Sequence, residues 1–373
     1  MDRGGVTHLE TYKGPVRTLD GQRVVFALGS VLALIAVAAV FDIYLVRQVN
    51  AYKSQIGTRL FEKALVVKQQ GKTHEALQLF RSALTESPAN AEYQLAFSKA
   101  LADAGRLNES RASLERLLSR YPAYGPANAE LARILAREGD WQNAAWYYHR
   151  ALYGEWPGSP DLRSLRFELA DLLARHNARE QLASEVVLLE SRPGDPAQEA
   201  HLARLQLAAG QWNRADSLYR TLLQSKPDDP ELLAGLGRAE FGTGKYLAAE
   251  RTLRRALDAG LRDPEASREF AVATEVNDLD PTLRRLSPKE RHRRAHELVL
   301  NLLSALRACS TRTKFLNDWQ RVVETHKGQN RPLALAEADV DIFERLWLDR
   351  DRICSKDLEM PESIRLLAAE LAK

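Results

Sequence analysis

The chain has 373 residues, with 53 lysines and arginines against 50 aspartates and glutamates, for a net charge of +3. A net charge this close to zero predicts no extended basic surface for binding nucleic acid. Two cysteines, Cys309 and Cys354, leave room for one disulfide at most.

A long apolar run, residues 24–46, follows a short N-terminal tail, residues 1–23. The run carries one charged residue, Asp42. As a helix it would extend about 34 Å, which is enough to cross a hydrocarbon core of about 30 Å. Because the run is longer than the apolar core of a signal peptide and ends without a small-residue cleavage site, it predicts an uncleaved single-pass membrane anchor.

The orientation of this span is not decided by its flanking charges. Four basic residues stand on each side of it, so the positive-inside count is a tie. A short tail inside with a large domain exported is the usual state of a signal anchor, and two distal cysteines suit an oxidising compartment. We therefore expect a protein of the bacterial inner membrane with residues beyond 47 on the periplasmic side.

The next segment repeats with a period of 34 residues. Glycines mark the period at Gly71, Gly105, Gly139, Gly210 and Gly244. A small residue follows each glycine by five positions, at Ala76, Ser110, Ala144, Ala215 and Ala249. A bulky apolar residue stands four positions further, at Phe80, Leu114, Tyr148, Tyr219 and Leu253. Each period predicts one helix–turn–helix unit with the glycine at its turn.

These marks resemble the tetratricopeptide repeat family. The resemblance implies an all-α solenoid, a right-handed superhelix of stacked helix pairs with a concave groove, over residues 47–277. A short helical stalk, residues 47–55, leads into it. A degenerate unit is expected at about 160–193, with Asn177 in place of the glycine. A final half-unit is expected at 263–277.

The repeat register is lost in residues 278–373. Two prolines, Pro281 and Pro288, break the helical pattern at the boundary. Four helices are predicted after it, near 289–308, 313–327, 333–353 and 362–372. Because the last repeat of a stack exposes an apolar face, we expect this C-terminal helical region to cap it.

The two cysteines follow predicted helices of the cap. We predict a Cys309–Cys354 disulfide that fastens it, and a structural role suits their wide spacing. A thiol-redox or enzymatic module in this region is the alternative, although the pair lacks the C-x-x-C spacing of redox motifs.

The sequence shows few signs of catalysis or of ligand chemistry. It contains no G-x-S-x-G, Walker or G-x-G-x-x-G motif, and the glycines Gly235, Gly237 and Gly242 are interpreted as packing glycines. His292 and His296 share a helix face, but neither an HExxH glutamate nor a third ligand accompanies them. A solvated helix start is the favoured interpretation. We therefore expect no enzyme, no cofactor and no metal.

A basic residue recurs at one position of the first helix of the repeats. The row comprises Lys99, Arg133, Arg204 and Arg238. In similar repeat proteins this position lines the concave groove, so the row is the candidate protein-binding site for an acidic segment. The alternative is local pairing with Glu130 or with acids of adjacent units. The asparagines of the family's carboxylate clamp are missing beside the row, so its specific ligand is not expected.

These observations predict a membrane-anchored scaffold that recruits other proteins, in the assembly or biogenesis of an envelope complex. Its expected partners are protein segments and the membrane, with no nucleic acid. A cytoplasm-facing membrane adaptor in quality control or signalling is the alternative of the same class.

Overall fold

The computed structural model describes residues 21–191, 194–310, 312–327, 329–354 and 358–372. Most of the predicted N-terminal tail, residues 1–20, lies outside these ranges. Within them, all regular secondary structure is helical, and one isolated bridge joins Tyr124 to Glu155. The all-α expectation is confirmed.

The chain divides into two compact units. The first unit contains residues 153–156 and five helices: α1 Gly21–Gln69, α2 Thr73–Glu86, α3 Ala91–Asp103, α4 Leu107–Arg120 and α5 Gly125–Glu138. Its helices pack on one another in chain order, with Phe61, Phe80 and Leu101 in the shared core.

The second unit contains the remaining helices, which follow two patterns. Its repeat helices are α6 Trp141–Leu152, α7 Arg163–Arg175, α8 Arg179–Glu190, α9 Pro196–Ala208, α10 Trp212–Ser225, α11 Pro230–Gly242, α12 Tyr246–Asp258 and α13 Pro264–Leu279. Its C-terminal helices are α14 Pro288–Cys309, α15 Thr313–Thr325, α16 Pro332–Leu348, α17 Arg350–Ile353 and α18 Glu362–Leu371.

Helix α1 joins the apolar run to the first repeat without a break. Its segment Leu34–Gln69 is long and apolar enough to cross a membrane, which by itself admits an anchor or a signal sequence. Side chains from Leu34 to Val49 are exposed, whereas Phe61, Ala64 and Val67 are buried against the repeat core. The predicted stalk, residues 47–55, is therefore part of one continuous helix.

The predicted turn residues all adopt the left-handed conformation. The five glycines have φ between 74° and 85°, at Gly71, Gly105, Gly139, Gly210 and Gly244. Asn177 has φ of 53° and takes the same place between α7 and α8. Asparagine tolerates this conformation better than other side chains, which explains how the degenerate unit keeps its turn.

The predicted packing positions are buried. The five small residues are fully buried, and the five bulky ones are at most 4% exposed. A small residue lets the two helices of a pair approach, and the bulky residue fills the space beside it. Glycines do the same on α11, where a Cβ at Gly237 would lie 2.6 Å from Leu253 Cγ. The packing interpretation of the α11 glycines is confirmed.

Three helices of the second unit begin with an aspartate and a proline spaced by 34 residues. The side chains of Asp195, Asp229 and Asp263 accept hydrogen bonds from backbone N–H groups of the first turn. The following proline suits the first helical position, which needs no N–H partner. This Asp-Pro start fixes where α9, α11 and α13 begin.

The C-terminal helices share a core with the last repeat. Leu253 and Val276 of the repeats belong to the same buried cluster as Leu302 and Phe343. Helix α18 packs on α13, and Arg268 pairs with Glu362 at 2.9 Å. The expected cap is confirmed. The helix predicted at 333–353 is interrupted at Asp349, between α16 and α17.

Candidate functional site

Two members of the predicted basic row lie in the first unit and share a carboxylate. Glu130 Oε1 is 3.0 Å from Lys99 Nζ and 2.7 Å from Arg133 Nη1. The Glu130 side chain is 17% exposed. This is the local pairing that the sequence left as an alternative, so a ligand acid at these residues would have to compete with Glu130.

Arg238 of the second unit also has acidic partners. Its guanidinium lies 2.5 Å from Asp263 and 3.3 Å from both Glu265 and Glu269. Burial raises the pKa of the Glu269 carboxyl, and the nearby Arg238 charge offsets part of that rise. Arg238 therefore ties α11 to α13, and its charge is already compensated.

Arg204 differs from the other three. It is exposed, and no carboxylate of the described ranges forms an ion pair with it. It lines a cavity of about 560 Å³ along α9, α11 and the start of α13, which we call the Arg204 groove. The groove is lined by Asn177, Arg179, Arg204, Leu207, Ala208, Trp212, Tyr219, Glu231, Ala234, Gly235, Arg238, Leu261, Asp263, Glu265 and Glu269.

Two glycines of α11 pack closely against aromatic residues that line the Arg204 groove. Gly235 on α11 faces Tyr219, and an added Cβ would overlap the phenol ring. Gly242 faces Trp212 in the same way. Burial raises the pKa of Tyr219 to about 12, so its hydroxyl is protonated at neutral pH. Tyr219 and Arg204 also line an adjoining cavity of about 510 Å³.

The groove lining carries charges of both signs. Arg204 on α9 and Arg179 at the start of α8 line the groove, and neither has an ion pair within the described part of the chain. Asp263, Glu265 and Glu269 lie on the α13 side. The groove lining therefore combines arginines without ion pairs, aromatic side chains and the carboxylates that pair with Arg238. Because Lys99 and Arg133 belong to the other unit, the alignment of all four residues in one row stays a prediction.

Comparison with known proteins identifies the repeats. The tetratricopeptide repeat family matches residues 68–137 and 206–268, which lie in the two repeat blocks with conserved spacing of the turn glycines. These two segments of the chain are tetratricopeptide repeats. Repeats of this family are typical protein-interaction scaffolds, not enzymes.

Named relatives share only parts of this chain. A tetratricopeptide repeat and J domain-containing co-chaperone, DNJ1 of Fusarium oxysporum, is 30% identical over 134 residues, which cover 34% of this chain and 25% of that protein. The TPR repeat-containing thioredoxin TTL4 of Arabidopsis thaliana is 33% identical over 101 residues. These residues cover 27% of this chain and 14% of TTL4. This chain thus spans a quarter or less of either relative.

One solved structure similar to this chain is that of YrrB. YrrB, described as a TPR protein with an unusual peptide-binding site, is 15% identical with a TM-score of 0.44. The match covers 51% of this chain and 96% of YrrB.

The two cysteines of the chain lie together in the cap. Cys309 ends α14 and Cys354 follows α17, with Cα atoms 5.5 Å apart and a disulfide between them. This separation lies within the range that a disulfide requires. Oxidation of this pair in the cell stays a prediction.

The interpretation of His292 and His296 as a solvated helix start is wrong. Their side chains are 15% and 16% exposed, and both face the fully buried carboxylate of Asp339 on α16. His326, which follows α15, places its Nδ1 2.7 Å from Asp339 Oδ1. Burial lowers the pKa of His292.

Sequence reasoning missed His326 and Asp339, although Asp339 carried a signal. It falls on the apolar stripe of α16 with Leu335, Ala336, Ile342 and Phe343. A lone aspartate on such a stripe indicates a buried partner, because an isolated buried carboxylate is costly.

Proposed function

We propose that this protein is a membrane-anchored scaffold whose Arg204 groove holds an acidic segment of a partner protein. The proposed setting is the assembly or biogenesis of an envelope complex, with the repeats exported. The observation that carries the proposal is Arg204 itself, an exposed guanidinium without an ion pair among the described residues, beside the buried Tyr219 in a peptide-sized groove.

The groove chemistry supports an extended segment with both a carboxylate and an apolar side chain. A carboxylate would pair with Arg204 and Arg179, whose charges no described acid compensates. An apolar side chain would contact Leu207 and Trp212 of the groove lining. Charged groups across an interface contribute mainly to partner choice and association rate. The groove would therefore select a partner segment by its charge and retain it through apolar contacts.

The anchor part of the proposal rests on the continuity of α1. Since one helix runs from the apolar run into the first repeat, the repeats are held close to the membrane surface. We expect protease added to spheroplasts to degrade the domain beyond residue 47. Protection until the inner membrane is lysed would instead favour the cytoplasm-facing adaptor.

Site-specific photocrosslinking tests the groove as the binding surface. A photoreactive residue in place of Ala208, which is exposed and lines the groove, is expected to give a discrete crosslinked species in native membranes. The matched control places the same residue at Arg251, exposed on α12 and outside the groove lining. Equal crosslinking from both positions would contradict the proposal.

The crosslinked segment also tests the chemistry. Mass spectrometry of the species from position 208 is expected to locate the crosslink within a partner segment rich in aspartate or glutamate. A segment that is uniformly basic would reject recognition through Arg204.

A further inference from the structure

Three histidines converge on one buried carboxylate in the cap. His292 and His296 come from α14, His326 follows α15, and Asp339 lies on α16. Asp339 Oδ2 is 3.4 Å from His292 Nε2 and 3.3 Å from His296 Nδ1. Its other oxygen, Oδ1, is 2.7 Å from His326 Nδ1.

Burial makes this cluster unlike a surface ion pair. The Asp339 side chain is fully buried, and the three imidazoles are 13% to 16% exposed. Buried charges in proteins are paired or coordinate metal ions. His292 Nε2 is buried and has no hydrogen-bond partner in the described structure, although it points toward Asp339. A coordinating nitrogen without a hydrogen bond is what a metal ligand would show in the absence of its ion.

The distances fit a small tetrahedral ion. Ligand atoms at 2.0–2.1 Å from a tetrahedral Zn²⁺ lie about 3.4 Å from each other. The distances from Asp339 Oδ2 to His296 Nδ1 and to His292 Nε2 are 3.3 and 3.4 Å. The ligand atoms of His292, His296 and Asp339 all lie within 4.8 Å of one another. A single ion therefore reaches all three after a small movement of the side chains.

We propose that His292 Nε2, His296 Nδ1 and Asp339 Oδ2 form a binding site for a divalent transition metal ion of the Zn²⁺ class. Two imidazoles and one carboxylate suit such ions better than they suit Mg²⁺ or Ca²⁺, which prefer oxygen ligands. Three protein ligands leave a fourth position for water.

His326 acts as a positioning residue in this site. Its contact with Oδ1 orients the carboxylate and leaves Oδ2 directed at the two α14 histidines. Removing a hydrogen bond from a neighbouring residue to a metal ligand commonly changes metal affinity by roughly 10- to 100-fold.

The site would join the same segments as the disulfide. His326 and Asp339 both lie in the chain between Cys309 and Cys354, whereas His292 and His296 precede it on α14. A bound ion would thus attach α16 to α14 independently of the redox state. Metal binding in the reduced protein is expected to remain stoichiometric.

The test uses the full-length protein, purified in detergent without a histidine tag and dialysed against a chelator. We expect one equivalent of Zn²⁺ to bind, measured by elemental mass spectrometry with a competing chelator in the buffer. His292→Ala and Asp339→Asn are expected to weaken binding at least 10-fold. The matched control is His201→Ala, because His201 also pairs with one carboxylate, Asp171, at 2.7 Å, but outside this cluster.

A positioning role for His326 has its own readout. His326→Ala is expected to weaken Zn²⁺ binding by about 10-fold without changing the stoichiometry, and His326→Gln is expected to restore part of the affinity. A loss of stoichiometry in His326→Ala would instead make His326 a ligand and overturn its assignment as a positioning residue.

A spectroscopic measurement on the unmodified protein covers the case in which the variants fail to fold. Co²⁺ added to the metal-free protein is expected to give the intense visible ligand-field absorption of a low-coordinate site, and Zn²⁺ is expected to remove it. Absorption identical to aqueous Co²⁺, or Zn²⁺ binding equal in wild type and the double variant His292→Ala/His296→Ala, would show that the cluster is only a buried ion-pair network.

Discussion

Loss of the Cys309–Cys354 disulfide is expected to lower the free energy of unfolding of the cap by about 4 kcal/mol on the chain-entropy model. The sequence separation of the two cysteines is 45 residues, so the bond removes considerable freedom from the unfolded chain. The enclosed segment contains α15, α16 and α17, and α16 contributes Phe343 to the core shared with the last repeat. Unfolding of this segment would therefore expose the end of the repeat stack.

The measurement compares denaturant unfolding of the full-length protein with and without reductant. The matched control is the double variant Cys309→Ser/Cys354→Ser, which is expected to unfold like the reduced protein and to ignore the reductant. Mass spectrometry without reduction is expected to show the linked peptides. Two free thiols in protein taken from an oxidising compartment would reject the disulfide. Equal unfolding midpoints with and without reductant would reject its expected stabilising effect.

Charge reversal in the groove is expected to weaken partner capture by on the order of 10-fold, about 1.4 kcal/mol. Arg204→Glu replaces an uncompensated guanidinium by a carboxylate that repels an acidic segment. Raising the salt concentration is expected to weaken capture by the wild type as well, because the charges involved are exposed. Stability is expected to change little, since Arg204 has no ion pair with the described residues.

A second variant separates binding from packing. Arg251→Glu reverses an exposed arginine on α12 outside the groove lining, and it is expected to leave capture unchanged. Arg238→Glu is expected to destabilise the fold, because it would leave Asp263, Glu265 and Glu269 beside a new negative charge. If Arg204→Glu captured the partner as the wild type does, with its helical CD spectrum intact, the Arg204 groove would not be the binding site.

The repeat fold was predictable from sequence because its determinants are local and recur. A turn that needs positive φ and a position that must be small appear every 34 residues, and the structure places Gly71 and Ala76 accordingly. Even the degenerate unit was visible, since Asn177 keeps the turn. The sequence predicted a span and a short helical stalk, and the structure joins both to the first repeat in one helix that contains no proline.

The site was predictable only in part, because it depends on contacts between distant residues. The repeat register gave the position of the basic residues but not their partners. Arg238 meets Asp263 and Glu269, 25 and 31 residues away, across a helix contact that no local pattern specifies. In the cap, His292 and Asp339 are brought together by the packing of α14 on α16 after the repeat register is lost.

The Arg204 groove is expected to recognise carboxylates of a partner. The most direct measurement is the dissociation constant between the full-length protein and a synthetic peptide of the segment crosslinked from position 208. A matched peptide has every aspartate and glutamate replaced by asparagine and glutamine. We expect the acidic peptide to bind roughly 10-fold more tightly, with the difference lost in Arg204→Glu. Equal affinity for the two peptides would contradict this account.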